Sequence, residues 1–486
     1  MDRNYTEKIK EIGKLLKCWM YRYLTPYGKI VIVKSLALSK LSHTALVVPA
    51  LNQHQLRELE SMLYKFIWDG KPDKVARDST KISEKRGGLN AIDVKDFWSA
   101  LKFSWFRRMF QTTAFWPKIL RVSISSIINS EFNLTMLLEF GPKKFENLAK
   151  STTNRFWKEI FFAVKAVMQG AIFAAPQKLI LSPLWENPAL CKNNKPLKPT
   201  HFPFLAEKIK WLYQLFKCGT NTLLSRVELE NLYSIRIPEA SYTELKYIVT
   251  TAFNRVGLHL GCVNSVFFPI QPLLVNIAFQ TKKGCSAYYK PLRVIKNSKI
   301  SQAGKENKWH REIGKTYSVD FWNKAYFYTS SIKYDNKLKW MQYQIVRNCQ
   351  YTNLRVNKFK PYISPLCSFC AECDETISHL YFGCRISKDF WHSLAQFLAN
   401  SNILVPIHEA TILFGFHNED PNSVSNTIIL WAKSYIWNVK FKNVHPSLDA
   451  FKSILKQRLV ELKELFEFNE KEDKILPWSL LMNIMI

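Results

Sequence analysis

The stretch Cys367-Ser-Phe-Cys370-Ala-Glu-Cys373-Asp-Glu375-Thr-Ile-Ser-His379-Leu-Tyr-Phe-Gly-Cys384 reads C-x2-C-x8-H-x4-C. Two cysteines at the first spacing place both sulfurs on one face of a tight turn. A histidine and a cysteine five apart close the other half of a tetrahedron. Zinc asks for four nitrogen or sulfur ligands in that geometry, with thiolates and neutral imidazole as the donors. Cys367, Cys370, His379 and Cys384 fill all four positions, which predicts one structural Zn2+ with no open position for a catalytic water. Cys373 is a spare thiol able to exchange with Cys370. The competing reading is a chance cluster of intracellular cysteines. Against it, four of the chain's 10 cysteines lie between Cys367 and Cys384. A catalytic cysteine is disfavoured, because no Cys-His-Asn pattern surrounds it.

Outward from this stretch, 486 residues are enough for two to four domains, each with its own core. Hydrophobic residues make up 47% and aromatic ones 14%, the composition of a folding chain. Only 15 residues are glycine, which disfavours nucleotide-cradling loops and favours helices. The formal charge of +30 points to a polyanionic partner, nucleic acid before an anionic membrane surface. No run of ~20 apolar residues of the kind a membrane span requires is found. The charged start Met1-Asp-Arg-Asn-Tyr-Thr-Glu-Lys is no signal peptide, and the cysteines show no disulfide framework, so cytoplasm or nucleus is expected.

The hydrophobic pattern is helical nearly throughout. Ile9, Ile12, Leu16, Trp19 and Tyr23 make one stripe at spacings of three and four over residues 5–24. Thr25-Pro26 reads as an N-cap with proline at the first helical position. The next helix presents Ile30, Val33, Ala37, Leu41 and Ala45 and stops before Pro49. Asn52 with Gln55 predicts a capping box ahead of Leu56, Leu59, Leu63 and Phe66. Gly87-Gly88 marks a turn, and Asp93 with Asp96 opens a helix striped by Phe97, Leu101, Trp105 and Met109. Further on, Phe156 to Val167, Phe204 to Phe216, Tyr242 to Val256, Leu338 to Cys349, Phe390 to Phe397, Ile428 to Trp437 and Leu448 to Phe466 read as helices. Ile412 to Gly415 reads as a short strand or turn.

Residues 282–315 differ in composition. They hold Lys282, Lys283, Lys290, Arg293, Lys296, Lys299, Lys305, Lys308, Arg311 and Lys315 against only Glu306 and Glu312, with Tyr288, Tyr289 and Trp309 interleaved. Cations neutralise phosphates and exposed aromatic rings stack on unpaired bases. The bland alternative is a solvated linker.

Two strings resemble one family. Trp19-Met-Tyr-Arg22-Tyr-Leu24-Thr-Pro-Tyr-Gly28-Lys29-Ile-Val-Ile-Val-Lys34, followed by Pro49, Phe66-Ile67-Trp68 and Gly87-Gly88-Leu89, is similar to the segment after the palm of LINE-type (non-LTR) retrotransposon reverse transcriptases. Glu375-Thr376, His379-Leu380, Cys384, Phe390-Trp391, Leu413-Phe414-Gly415 and Ala432-Lys433 through Trp437 resemble the cysteine-rich C-terminal domain of the same elements. The resemblance implies a thumb that grips a template–primer duplex, and Cys367, Cys370, His379 and Cys384 match the proposed metal ligands. The thumb-like string offers Arg22, Lys29 and Lys34 as candidate nucleic-acid contacts, and the basic run over 282–315 offers Lys282, Lys283, Lys290, Arg293, Lys296 and Trp309.

The expectation is a mainly α chain in four parts. These are a thumb-like helical bundle over 1–110, a mixed, mostly helical connector over 111–300, a basic segment with the zinc-binding domain over 301–400, and a helical region over 401–486. The polymerase of the family needs paired catalytic aspartates that hold two metal ions. This sequence has no Asp-Asp pair, and the resemblance implies a chain that begins after the palm and is without the family's endonuclease. No G-x-x-x-x-G-K-[ST], G-x-G-x-x-G, H-E-x-x-H or G-x-S-x-G is present, and His408-Glu409 lacks a second histidine. The reading is a 5′-truncated, non-catalytic fragment that binds RNA, or an RNA–DNA hybrid, with DNA as a further partner. The alternative is a zinc-stabilised protein-interaction scaffold or a decayed remnant.

Overall fold

Several helix starts written into the sequence are realised in the computed structural model. It describes residues 2–128, 133–174, 179–187, 189–218, 220, 222–255, 273–280, 285–299, 303–333, 335–468 and 478–485. Asn52 and Gln55 form the predicted capping box, each side chain accepting the other's backbone N–H, at the head of the helix Gln53–Ile67. Asp93 caps the helix Val94–Met109 by accepting the Asp96 N–H at 3.1 Å. Thr25 precedes the helix Pro26–Ile32 with Pro26 at its first position, although its hydroxyl makes no cap bond. The first helix, Asp2–Met20, ends earlier than its stripe predicts, and Tyr23 is fully solvent-exposed.

The fold is mainly α. Among the described residues the one sheet is the pair Cys191–Lys192 and Lys195–Pro196. The chain divides into two compact units. The first comprises Met1–Leu15, Leu36–Met62 and Asp93–Ile300, and the second Leu16–Ser35, Leu63–Ile92 and Ser301–Ile486. Residues 1–110, expected as one bundle, contribute to both.

In the first unit Val94–Met109 is the central helix, packed by Arg155–Ala174 and Cys285–Lys299. Its buried surface is wider than the predicted stripe. Phe103 and Phe106 are wholly buried, while Phe97 and Trp105 are only partly so. Each such phenylalanine contributes about 1.5–3 kcal/mol by leaving water. Gly170 allows the 155–174 and 285–299 helices to meet, since a Cβ there would lie 2.1 Å from the Pro291 carbonyl oxygen. Residues 204–216, predicted helical, form only the short turns Pro203–Ala206 and Leu212–Leu215. The Gln214 side chain accepts the N–H groups of Lys210 and Trp211 and so diverts them from a helical ladder.

The second unit is built on Val319–Ser331, Asn336–Val346, Arg385–Ala399, Val424–Lys440 and Leu448–Phe468. Their apolar faces enclose Ile345, Leu380, Tyr381, Trp391, Phe414, Ile428 and Phe451, all without accessible surface. Ile412 to Gly415 is not a strand. Glu409–Phe414 is a short helix ended by Gly415 at φ +97°. The segments 16–35 and 63–92 pack into the same unit, with Tyr27 edge-on to Tyr343 at 6.0 Å and Lys339 on Glu84 at 2.6 Å. The Gly87-Gly88 turn combines a left-handed residue with a close approach. Gly87 has φ +77°, and a Cβ on Gly88 would lie 2.0 Å from the Ile82 carbonyl oxygen. No single helix among the described residues is long and apolar enough to cross a membrane. One bent pair of short helices, Pro26–Ala37 with Ser39–Val47, passes by length and composition alone.

Candidate metal centre

The first ligand pair sits on a reversing loop. Glu375 N–H donates to Pro365 O at 2.8 Å, and Cys367 N–H donates to Cys373 O at 2.8 Å. Ala371 takes the left-handed conformation at φ +55°, and its N–H bonds to Cys367 O, which turns the chain between Cys370 and Cys373. The loop also aims a backbone donor at a sulfur, since Phe369 N–H reaches Cys367 Sγ at 3.4 Å.

The second pair depends on an unusual turn. At 3.6 residues per α-turn, positions five apart diverge by about 140° around the axis. His379–Gly383 is instead a π-helix, in which Cys384 N–H bonds to His379 O at 2.7 Å. The wider turn brings the ends of the H-x4-C spacing together. Cys384 then stands at the N-cap of Arg385–Ala399.

These elements bring all four predicted ligands together. The sulfurs of Cys367, Cys370 and Cys384 and a ring nitrogen of His379 lie within 4.8 Å of one another, and Cys370 Sγ is 3.3 Å from His379 Nε2. A tetrahedral zinc with bonds of about 2.3 Å to sulfur and 2.0–2.1 Å to nitrogen spaces its ligands about 3.5–3.8 Å apart. The donor set and its span therefore fit one zinc ion, held as a closed Cys3His site whose role is structural. Cys373 stands outside the cluster with its side chain exposed. It contributes its carbonyl, which leaves Cys370 as the ligand.

The electrostatics favour a thiolate at Cys384. The Cys384 thiol is pushed down, first by a hydrogen bond from Cys367, then by the Ser387 and Ile386 N–H groups at the helix start. Cys367 is pushed up, because it supplies that proton and is buried. A metal that replaces the proton relieves both.

A polar shell holds the loop. Glu375, wholly buried, accepts Ser368 N–H at 3.0 Å, Ser368 O–H at 2.7 Å and Asn353 N–H at 2.8 Å, and pairs with Lys440. Asn353 Nδ2 donates to Leu366 O at 2.9 Å. His379 N–H donates to Thr376 Oγ1, and Ser378 N–H to Glu312 Oε1, each at 3.0 Å. Sequence reasoning assigned Glu375 no structural role. Glu372, Asp374 and Glu375 all lie between Cys370 and His379, and nothing in the sequence marks Glu375 as the one that a lysine 65 positions away neutralises.

The candidate nucleic-acid contacts fare differently. Lys29 is 1% exposed and paired with Asp69, so it is not a surface cation. Arg293 is buried on Asp93 and Asp96 at 3.4 and 3.1 Å, and Lys296, though exposed, sits on Asp96 at 2.5 Å. Trp309 is wholly buried and donates its ring N–H to Val346 O at 2.9 Å, so it cannot stack on a base. Lys34 is half-buried, and burial lowers its ammonium pKa. Arg22 and Lys290 are exposed, and Lys282 and Lys283 lie outside the described residues.

The metal cluster lies within a segment that has known relatives. Residues 305–391 match the family model described as zinc-binding in reverse transcriptase, so this chain carries a reverse-transcriptase-associated zinc domain whose matched segment contains all four ligands.

Proposed function

We propose that this chain is a nucleic-acid-binding part of a LINE-type reverse transcriptase and does not itself polymerise. The observation that carries the reading is a reverse-transcriptase zinc domain within a chain of formal charge +30. The thumb-like string from Trp19 to Lys34 supports the LINE assignment. RNA or an RNA–DNA hybrid is the partner, bound mainly through phosphates and with little sequence specificity. The sequence offers no paired aspartates to hold catalytic metals. A zinc site built on thiolates suits a reducing compartment, the cytoplasm or the nucleus.

The test is a salt titration of RNA binding together with primer extension. Log affinity is expected to fall linearly with log salt at a slope of about −0.7 per phosphate neutralised on a single strand. No nucleotide incorporation is expected on a primed template. Binding that vanishes near physiological salt contradicts the reading and favours a zinc-stabilised scaffold. Incorporation by the purified chain contradicts the non-catalytic assignment.

A further inference from the structure

A cleft of about 510 Å3 in the second unit borders the zinc loop at Thr376 and Ile377. Four cations line it. Lys308 and Arg311 come from the helix Ala303–Ile313, and Arg355 and Lys358 from the short helix Asn353–Asn357 and its end. The opposing carboxylate, Glu312, is already engaged, with one oxygen on Ser378 N–H and the other on Asn348 Nδ2 at 2.6 Å. The Arg355 guanidinium is pre-positioned by its bond to Asn348 O at 2.9 Å. Gln350 is 1% exposed and also lines the cleft. Its Oε1 accepts the Tyr381 hydroxyl, while its Nε2 has no partner. A buried donor without an acceptor is unusual in a folded protein, and an acceptor-rich ligand oxygen would satisfy it.

Exposed rings follow the lining residue Lys358 in the chain. Lys358-Phe-Lys-Pro-Tyr362 is exposed throughout, with Phe359 57% and Tyr362 80% accessible. From Tyr351 to Ala371 the chain has no acidic residue. Cations around a concave surface with exposed rings beside it are the two components by which single strands are held.

We propose that this cleft and the rings that follow Lys358 bind single-stranded nucleic acid, with Lys308, Arg311, Arg355 and Lys358 on phosphates and Phe359 and Tyr362 stacked on bases. The inference rests on the nucleic-acid-binding reading above and gives it a location. A duplex keeps its bases stacked internally, so it can use the cations but not the rings.

The experiment measures binding of fluorescein-labelled oligouridine, oligothymidine and an RNA duplex to the zinc-loaded full chain as salt is varied. The triple variant Lys308→Gln, Arg311→Gln, Lys358→Gln is expected to reduce the log–log salt slope for oligouridine by about 2. The pair Phe359→Ala, Tyr362→Ala is expected to weaken oligouridine binding about tenfold or more, with the slope kept and duplex binding unchanged. The control Lys452→Gln, Lys456→Gln, Lys463→Gln removes the same charge from the helix Leu448–Phe468 and is expected to leave the slope nearly unchanged. Oligothymidine is expected to bind as well, since neither contact reads the sugar.

Equal effects of the two charge triples would overturn the site in favour of diffuse attraction, and so would an aromatic pair without effect. Absence of oligouridine binding by the parent chain defeats the broader reading instead, so the two failures are distinguishable. Zinc content and melting curves verify that each variant is folded. The aromatic pair, exposed in solvent, tests the site even if the charge triple is misfolded.

Discussion

Glu375 and Lys440 form an ion pair sealed inside the second unit, the carboxylate wholly buried and the ammonium 4% exposed. The same carboxylate takes three further hydrogen bonds, from Ser368 and Asn353, beside the ligand Cys367. Breaking one side of such a pair leaves an uncompensated buried charge and costs about 3–5 kcal/mol. Glu375→Gln is therefore expected to lower unfolding stability by that order, and Glu375→Gln with Lys440→Met to recover part of the loss. Urea denaturation of the two variants checks this. Equal losses would show that the ammonium is not compensated by this carboxylate.

The ligand assignment separates Cys370 from Cys373. Cys370→Ser with Cys384→Ser is expected to remove most of the bound zinc and to increase amide exchange over residues 360–400, because metal binding and local folding are coupled. Cys373→Ser is expected to keep one zinc per chain, since its carbonyl and not its thiol is used. Metal analysis of the purified variants reads both.

Gly88 has no room for a side chain, because a Cβ would press on the Ile82 carbonyl, which is backbone and cannot swing aside. Gly88→Ala is expected to cost more than about 2 kcal/mol, where the same change at an unstrained, open position gains about 0.4–1 kcal/mol. Gly70→Ala gives the comparison. Gly70 also has positive φ, at +72°, but a Cβ added there would meet nothing within 4 Å. Its cost is expected to be limited to backbone strain. Thermal melting of the two variants decides, and equal shifts would argue against the close approach.

Lys433 is wholly buried with its ammonium on Gln342 Oε1 at 2.5 Å, and burial pushes its pKa down to about 7. An unfolded lysine titrates near about 10.4, so between about pH 7 and 10 the unfolded chain holds a proton that the folded chain has lost. Stability from this group therefore rises with pH across that window, by up to about 1.4 kcal/mol per pH unit, and is lowest at and below pH 7. Lys433→Met is expected to gain most over the parent near pH 7 and progressively less toward pH 10. Denaturation curves at both ends of the window test it. A pH-independent difference would mean that the lysine is not strained by burial.

What the sequence made legible was local. The Asn52–Gln55 box, the Asp93 cap and the C-x2-C and H-x4-C pairs are short-range devices carried by a few neighbouring residues, although the π-turn that closes H-x4-C is not itself written in the spacing. The four ligands were readable because zinc demands donor types that rarely cluster otherwise. The fate of individual cations was not readable. Arg293 and Lys296 meet Asp93 and Asp96 about 200 residues away, and Lys29 meets Asp69. Trp309 lies in a basic run yet faces the core, because the helix Ala303–Ile313 turns it inward onto Val346. Charge density alone does not distinguish a solvated lysine from one neutralised across the fold. The exposed Lys358 to Tyr362 run, by contrast, contains Pro361 and has no periodicity or spacing that singles it out in the sequence.

Zinc K-edge absorption on the purified full chain tests the metal centre most directly. A shell of three sulfurs at about 2.3 Å and one nitrogen at about 2.0–2.1 Å is the result expected from Cys367, Cys370, Cys384 and His379. A fit to four sulfurs would mean that Cys373 has entered and His379 has left, and an oxygen-rich shell of higher coordination number would contradict the closed structural site altogether.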